Sequence, residues 1–168
     1  RLWDGSPLPS GLRSRLEREF ERMSLVNEQI KILEAERREL IRNSTRPDVE
    51  LVRQLMRMKG IGVGSAWLWV MEFFAWREFR NRRQVGALSG LTPTPYQSGD
   101  DSREQGISKE GNRYVRSIAI QIAWGWLRYQ PESKLTRWYQ KRFGHGGKRL
   151  RKIGIVALAR KLLIDCWV

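Results

Sequence analysis

The spacing of apolar residues between positions 12 and 41 constrains this chain more than any other feature. They recur at close to every 3.5 residues, which is typical of a long amphipathic helix. Balanced charges fill the other faces, and Arg37 interrupts the apolar stripe. The pattern predicts that the helix pairs with another protomer or with another helix of the same molecule, or else packs on the core. The stripe consists of Leu12, Leu16, Phe20, Met23, Val26, Ile30, Leu33, Leu40 and Ile41.

Proline and glycine delimit this helix on both sides. Residues 1–11 are predicted to be a linker, and Pro47 ends the helix because proline lacks an amide hydrogen. The sequence therefore predicts a coiled-coil-like helix over 12–46 and a helical domain over 47–168. The expected helices of that domain are 48–58, 65–76, 81–89, 109–129, 131–143 and 148–166, with an irregular stretch at 90–107. Strand-like alternation is nowhere sustained, so the predicted fold class is all-α.

The charge balance narrows the function. The chain holds 32 Lys and Arg against 18 Asp and Glu, a net charge of +14, and the excess lies after residue 41. Lys and Arg that neutralise phosphates release counterions, so this excess favours a polyanion as partner over a merely solvated basic surface. The single cysteine cannot form an internal disulfide, and with one histidine it gives no zinc-binding spacing. No apolar run is long enough to span a membrane, so we expect no membrane partner.

A glycine-rich turn separates the first two helices of the predicted domain. Gly60, Gly62 and Gly64 permit a tight turn and leave backbone amides bare at the start of the second helix, where a phosphate can bind. The turn resembles the helix-hairpin-helix module, which grips the nucleic-acid backbone without reading bases. Ile61 would be its buried residue and Lys59 an additional cation. A glycine-rich corner between two core helices is the alternative interpretation.

A loop with two prolines and a Ser-Gly pair precedes a basic helix. Ser108 is the predicted N-cap, which would place Lys109, Arg113 and Arg116 on one face of the first turns. These cations would concentrate positive potential beside the loop. Ser98 is well placed in that loop to be presented, although a loop serine is a turn residue far more often than a nucleophile.

A basic run opens the last predicted helix. It consists of Lys148, Arg149, Arg151 and Lys152. Cations disfavour a helix N-terminus, so a bound polyanion explains them better than a solvated helix start does. Arg103, in the irregular stretch, is a further predicted contact to DNA or RNA.

Five of these features occur in the order found in one family. The chain from about Leu51 to Trp126 resembles the C-terminal transposase domain of the DEDD-type insertion-sequence transposases, the "one-ten" group with its "eleven-eleven" subgroup. The helix at 12–41 resembles the coiled coil that precedes that domain. The matching features are Gly60-Ile61-Gly62, Gly90-Leu91-x-Pro93, Ser98-Gly99, Gly106-Ile107-Ser108-Lys109-x-Gly111-Asn112 and Arg116.

The resemblance implies a DNA recombinase of the prokaryotic cytoplasm and nucleoid, guided by a structured bridge RNA and assembled as an oligomer. It implies a RuvC-like domain with four acidic ligands for a divalent ion such as Mg²⁺, and a serine that joins covalently to DNA. That role falls on Ser98. The acidic quartet has no counterpart here, since Asp100, Asp101 and Glu104 read as a solvated loop. We therefore expect a transposase fragment that binds DNA, self-associates through 12–41 and holds no metal or cofactor of its own.

Two other functions fit parts of the sequence. A non-catalytic helix-hairpin-helix module would bind the nucleic-acid backbone through Lys59 to Gly64. A helical scaffold would dimerise through 12–41 and be basic without binding nucleic acid. A covalent adduct distinguishes a transposase from the first alternative, and salt-sensitive DNA binding distinguishes both from the second.

Overall fold

A computed structural model of the chain describes residues 2–98 and 101–167, and the side chains of all of these except 95–98 and 101–105. The chain forms two compact units, Arg1–Ser44 and Thr45–Val168. Helix α1, Ser10–Asn43, makes up most of the first unit and includes the whole predicted helix 12–41. Every residue of α1 is described and none is buried; its apolar stripe is exposed from Leu12 to Leu40, and Ile41 is half-buried.

The second unit is a bundle of six helices and one hairpin among its described residues. The helices are α2 Pro47–Met56, α3 Val63–Trp69, α4 Arg82–Leu88, α5 Arg113–Tyr129, α6 Lys134–Tyr139 and α7 Lys148–Asp165. Turns of π-helix at Val70–Phe74 and Gln140–Gly144 continue α3 and α6. The predicted all-α class is confirmed. None of the described helices has the combined length and hydropathy that a bilayer-spanning helix needs.

The core of this unit forms where α5 packs on α7 and where α3 packs on α5. Trp69 and Leu158 are fully buried in it, and Trp126 of α5 is 8% exposed. Among the aromatic residues of this unit, Phe73 is fully buried as well, whereas Trp76 and Trp124 are exposed. Packing of α5 on α7 fixes both helices, so the position of each exposed face is set by the face it buries.

The sequence predicted an irregular stretch at 90–107. The structure instead contains an antiparallel hairpin there. Strand β1, Pro93–Ser98, pairs with β2, Asp101–Ile107, and the register shifts between Pro93 and Pro95. Neither strand alternates apolar and polar residues along its sequence. The pattern that identifies a half-buried strand is therefore missing from its sequence.

Two predicted helix starts are wrong for the same reason. Helix α5 begins after Asn112, not Ser108, because the Asn112 side chain accepts hydrogen bonds from the amides of Tyr114 and Val115 at 2.9 and 3.2 Å. Helix α6 begins after Ser133, whose hydroxyl accepts from the Thr136 amide at 3.1 Å, and not at Pro131. In both cases a better-placed capping side chain lies a few residues further along the chain.

Candidate nucleic-acid interface

A cleft of about 700 Å³ lies between α7 and the base of the hairpin. Leu91, Pro93, Gly106 and Ile107 form the hairpin side. The α7 side consists of Lys148, Arg149, Lys152, Ile153, Val156, Ala157 and Arg160. These seven residues lie on one face of the helix, because they follow its period of 3.6 residues. The residues that α7 buries in the core, among them Leu158 and Leu162, lie on a different face.

Cations and apolar groups alternate along the α7 side of this cleft. Lys148, Arg149, Lys152 and Arg160 carry positive charge, and no acidic residue is among the described residues that line the cleft. Between the cations lie aliphatic side chains such as Ile153 and Val156. The cleft is therefore suited to an anionic ligand that also presents apolar surface.

The start of α7 has an unfavourable arrangement of charge. Gly147 occupies the N-cap position and makes no side-chain cap, and the first turn has no acidic residue. That turn instead carries Lys148, Arg149 and Arg151 next to the positive end of the helix dipole. Each such cation costs about 0.3–1 kcal/mol at low ionic strength. An anion bound at this end would remove the repulsion.

Two glycines hold the base of the hairpin in place. We call the segments 88–92 and 107–112, which run side by side there, the neck. Gly90 has φ +68°, and a Cβ built on it would lie 2.0 Å from the Glu110 carbonyl oxygen. Gly111 has φ +84°, and its added Cβ would lie 2.0 Å from the Leu88 oxygen. Only glycine satisfies both the positive φ and the close approach, so these residues have a structural role.

Backbone hydrogen bonds close the neck beside the cleft. The Ser108 amide donates to the Thr92 carbonyl at 2.9 Å, and the Lys109 amide to the Gly90 carbonyl at 3.3 Å. The Arg160 side chain lies beside α4, since its Cδ would lie 3.3 Å from a Cβ added to Gly86, and Thr92 Cγ2 of the neck would lie 3.3 Å from the same Cβ. The hairpin side of the cleft is thus fixed to the helical bundle.

The three cations predicted to share a face at the start of α5 do not do so. Lys109 lies before the helix with φ +58°, because the helix starts only after Asn112. The Arg116 guanidinium turns back to the neck and donates from Nη1 to the Glu110 carbonyl at 3.4 Å. The Arg113 guanidinium instead lies 5.4 Å from the centre of the exposed Tyr114 ring. Arg116 is therefore part of the neck, and the predicted cationic face does not form.

The glycine turn, Lys59–Gly64, lies against α5. Ile61 is 5% exposed, as the hairpin interpretation predicts. The Lys59 carbonyl accepts a hydrogen bond from Gln130 Nε2 at 2.7 Å, and a Cβ added to Gly125 would lie 3.6 Å from the Gly60 oxygen. A Cβ added to Gly62 or Gly64 would meet no atom within 4 Å. The bundle thus constrains the first half of the turn and leaves the second half open.

The structure brings together only part of the predicted binding set. Lys148, Arg149 and Lys152 line the cleft, whereas Arg151 turns away and donates from Nε to the Gly146 carbonyl at 3.0 Å. Arg160, which also lines the cleft, was missed by the sequence analysis. Its signal was its spacing of eight residues from Lys152, which places both on one face of α7.

Some predicted site residues fall outside the described part of the chain. Strand β1 ends at Ser98, whose side chain is not described, and the same holds for the side chain of Arg103. Gly99 and Asp100 lie outside the described residues altogether. The catalytic assignment of Ser98 and the contact assigned to Arg103 therefore stay predictions.

The remaining groups that could carry chemistry lie elsewhere. Burial raises the pKa of the Cys166 thiol to about 12, and Asp165 adds to the shift. This thiol is therefore protonated at neutral pH and is a poor nucleophile. Among the described residues, no group of three or more His, Cys, Asp or Glu could hold a metal ion.

Comparison with known proteins places this architecture in one family. The model of the transposase family IS116/IS110/IS902 matches residues 52–137, which run from α2 into α6. The chain belongs to this transposase family. The match contains the glycine turn, the neck and the hairpin, whereas the α7 side of the cleft lies beyond it.

Relatives of this transposase family align with almost the whole chain. The putative transposase y4rJ of Sinorhizobium fredii is 41% identical over 175 residues, which cover 99% of this chain and 44% of the relative. The transposase for insertion sequence element IS1328 of Yersinia enterocolitica is 30% identical over 96% of this chain and 46% of its own length. A probable family 20 transposase of Pseudomonas aeruginosa is 28% identical with the same coverage. The chain thus spans less than half the length of these relatives.

Proposed function

We propose that this chain is the part of an insertion-sequence transposase that binds DNA in the cleft between α7 and the hairpin. The observation that carries the proposal is the cationic face of α7, held opposite a hairpin whose first strand ends at Ser98. Transposition requires a nucleic-acid ligand, and the cleft combines four cations with apolar surface. Both properties suit a phosphodiester backbone with its sugars and bases.

Each wall of the cleft has its own part in binding. Lys148, Arg149 and Lys152 neutralise successive phosphates, while the start of α7 contributes its dipole. Ile153 and Val156 contact sugars or an unstacked base. The fixed neck keeps the hairpin side at a constant distance from α7, so the bound strand is held rather than merely attracted.

Ser98 is the proposed nucleophile. It lies five residues along β1 from Pro93 at the edge of the cleft, about 17 Å in an extended strand. A serine hydroxyl needs help to attack phosphorus, from donors for the charge that develops and from a group that activates the leaving oxygen. The described acidic residues form no metal-binding group. In this proposal the divalent ion belongs to a RuvC-like domain of the full protein.

Two further partners belong to the same proposal. A guide RNA is a second polyanion that the basic surface of the helical unit can bind. The exposed cations of this surface include Lys59, Lys109 and Arg113. A second copy of the chain is the proposed partner of α1, because the apolar stripe is exposed from Leu12 to Leu40.

A charge-reversal experiment tests the binding site. Lys148→Glu, Arg149→Glu and Lys152→Glu together should weaken DNA binding and reduce the salt slope by about one unit for each lost phosphate contact. The matched control reverses three exposed cations of the α6 region that do not line the cleft, Lys134, Arg137 and Lys141. Equal losses in the two triple variants would show that net charge, and not the cleft, governs binding.

A second experiment tests the chemistry. In the full-length protein with its RNA and a divalent ion, Ser98→Ala should abolish a protein–DNA adduct that survives denaturing electrophoresis. DNA affinity should remain nearly unchanged, because one neutral hydroxyl contributes little to phosphate binding beside the cations of the cleft. An adduct that persists in Ser98→Ala would assign the attack to another residue.

One observation favours a non-catalytic alternative. Gly62 and Gly64 have open space where a side chain would lie, so the bundle does not require glycine there. Close approach of a nucleic-acid backbone would require it. If this turn is the main binding site, Gly62→Ala with Gly64→Ala should reduce affinity more than the α7 triple variant does, and no serine adduct should form.

A further inference from the structure

The exposed seam of α1 contains two charges of opposite sign. In heptad terms Leu16, Met23, Ile30 and Arg37 occupy the a positions, and Leu12, Glu19, Val26, Leu33 and Leu40 occupy the d positions. The apolar members are between 38% and 63% exposed. Only Glu19 and Arg37 break the apolar sequence, and they do so near opposite ends of the helix. A pair of helices that buries this seam must place both charges.

The two possible orientations of a helix pair place these charges differently. In a parallel pair each residue faces its own copy, so Glu19 would face a second Glu19 and Arg37 a second Arg37. Like charges brought together in a seam are strongly unfavourable. In an antiparallel pair a positions face d positions, so residues near one end face residues near the other. The charges therefore favour the antiparallel orientation.

We infer that two copies of the chain pair through α1 as an antiparallel coiled coil centred at the level of Glu28. This inference rests on the proposed self-association and adds its orientation and register. In that register the layers from Leu16 to Leu40 are complementary. Leu16 faces the partner's Leu40, Glu19 faces the partner's Arg37, Met23 faces the partner's Leu33, and Val26 faces the partner's Ile30.

The same charges fix the register as well as the orientation. A slip of one heptad in either direction would place Arg37 opposite Val26 or opposite Leu12 of the partner. It would also separate Glu19 from every cation of the seam. A buried charge without a partner is costly, so both slipped registers are disfavoured. The centred register is the one in which both charges find partners and almost all of α1 is paired.

The geometry of the single helix agrees with this arrangement. The Arg37 side chain is 24% exposed, and its buried Nε has no hydrogen-bond partner among the described residues. Glu34 Oε1 lies 3.6 Å from Arg37 Nη2, and Glu19 Oε1 accepts a hydrogen bond from Arg22 Nη1 at 3.0 Å. The partner's Glu19 would supply Arg37 with an acceptor across the seam.

The residues that flank the seam add a second complementary pair. Arg22 and Glu36 occupy g positions, and in the centred antiparallel register g positions face each other across the interface. Arg22 then lies beside the partner's Glu36. In a parallel pair Arg22 would lie beside the partner's Asn27 instead, with no opposite charge. The flanks and the seam thus select the same orientation.

Charge swaps in the 168-residue chain test the orientation. Glu19→Arg or Arg37→Glu alone places like charges in two layers of the antiparallel dimer and should raise its Kd about tenfold or more. The double variant restores opposite charges and should recover most of the wild-type Kd. Glu21→Arg, the same change on the outer face, is the matched control and should leave the Kd nearly unchanged. Sedimentation equilibrium measures all four.

Disulfide trapping tests the register in a Cys166→Ser background. Met23→Cys and Leu33→Cys chains should form a heterodisulfide when mixed, because these positions face each other. Met23→Cys alone should not crosslink, since its two copies are about 15 Å apart along the antiparallel pair. Crosslinking of Met23→Cys alone, or a double charge variant as weak as the single ones, would overturn the antiparallel arrangement while leaving self-association intact. A wild-type chain that is monomeric at all concentrations would overturn both.

Discussion

Helices α1 and α7 have similar sequence patterns, but they differ in how many residues they bury. Both are long, and both mix apolar residues with many charges. Helix α7 buries six residues against the bundle, among them Leu158 and Leu162, and exposes a cationic face. Helix α1 buries none of its 34 residues and exposes an apolar face. An amphipathic pattern therefore predicts a helix and the position of its apolar face. It does not predict what packs against that face.

The source of stability therefore differs between the two helices. Tertiary packing holds α7 in place, so its exposed face can carry charges that cost helix stability and serve a ligand. Helix α1 buries none of its residues. Long helices in water depend on a partner for most of their stability, so α1 is expected to gain order on pairing.

The largest expected effect is the difference in stability loss between a substitution in α7 and one in α1. Leu158→Ala should lower the free energy of unfolding by about 3 kcal/mol, because it leaves a cavity in a fully buried site. Leu33→Ala, at a residue 63% exposed on α1, should leave unfolding of the second unit unchanged. Urea denaturation followed by tryptophan fluorescence measures this, since all tryptophans except Trp3 lie after residue 44. Equal losses would mean that α1 contributes to the core.

The next effect tests whether the hairpin side of the cleft is as firmly held as α7. Gly111→Ala should destabilise the second unit by about 2–3 kcal/mol, since it combines a positive φ with a Cβ 2.0 Å from the Leu88 oxygen. Gly106→Ala, on the same hairpin, meets no atom within 4 Å and should change stability little. Thermal denaturation compares the two, and a tolerant Gly111 would mean that the neck opens readily.

A smaller effect contrasts a capped helix with the uncapped α7. Asn112→Ala removes the side chain that accepts from the Tyr114 and Val115 amides and should cost about 1 kcal/mol. Asn112→Ser keeps a capping oxygen and should recover most of the loss. Chemical denaturation resolves the difference. If Asn112→Ser is as unstable as Asn112→Ala, the hydrogen bond to Glu72 matters more than the cap.

The smallest effect has the opposite sign. Lys148→Glu should raise the free energy of unfolding by about 0.5 kcal/mol at low salt, because it replaces a repelled cation with an anion at the start of α7. DNA affinity should fall in the same variant. Lys152→Glu, one turn further on, should stabilise less while weakening binding comparably. A Lys148→Glu protein that is less stable at low salt would show that the dipole does not govern this helix end.

The sequence was sufficient for the long helices and insufficient for the connections. The spacing at 12–41 predicted α1 to within about two residues at each end, because the pattern continues over many turns. The hairpin could not be predicted in this way, since its sequence does not alternate between apolar and polar residues. Its position depends on the contacts of Gly90 and Gly111, which join segments about twenty residues apart.

The sequence indicated which charged residues belong to the candidate site, but it did not indicate how they are arranged in space. The basic run at 148–152 lies on the helix that lines the cleft, and helical spacing would have added Arg160. The start of α5 was placed wrongly, because Asn112 also bonds Glu72, forty residues away in sequence. Such long-range contacts choose between two acceptable capping residues, and local sequence does not contain them.

Helix α5 sets the distance between the neck and the glycine turn. Its cap, Asn112, belongs to the neck, and Gly125 touches the glycine turn at Gly60. Thirteen residues of α-helix separate the two points by about 20 Å. That distance equals the rise of about six base pairs, slightly more than half a turn of duplex. A straight duplex lying along α5 would present one groove to the neck and the other groove to the turn.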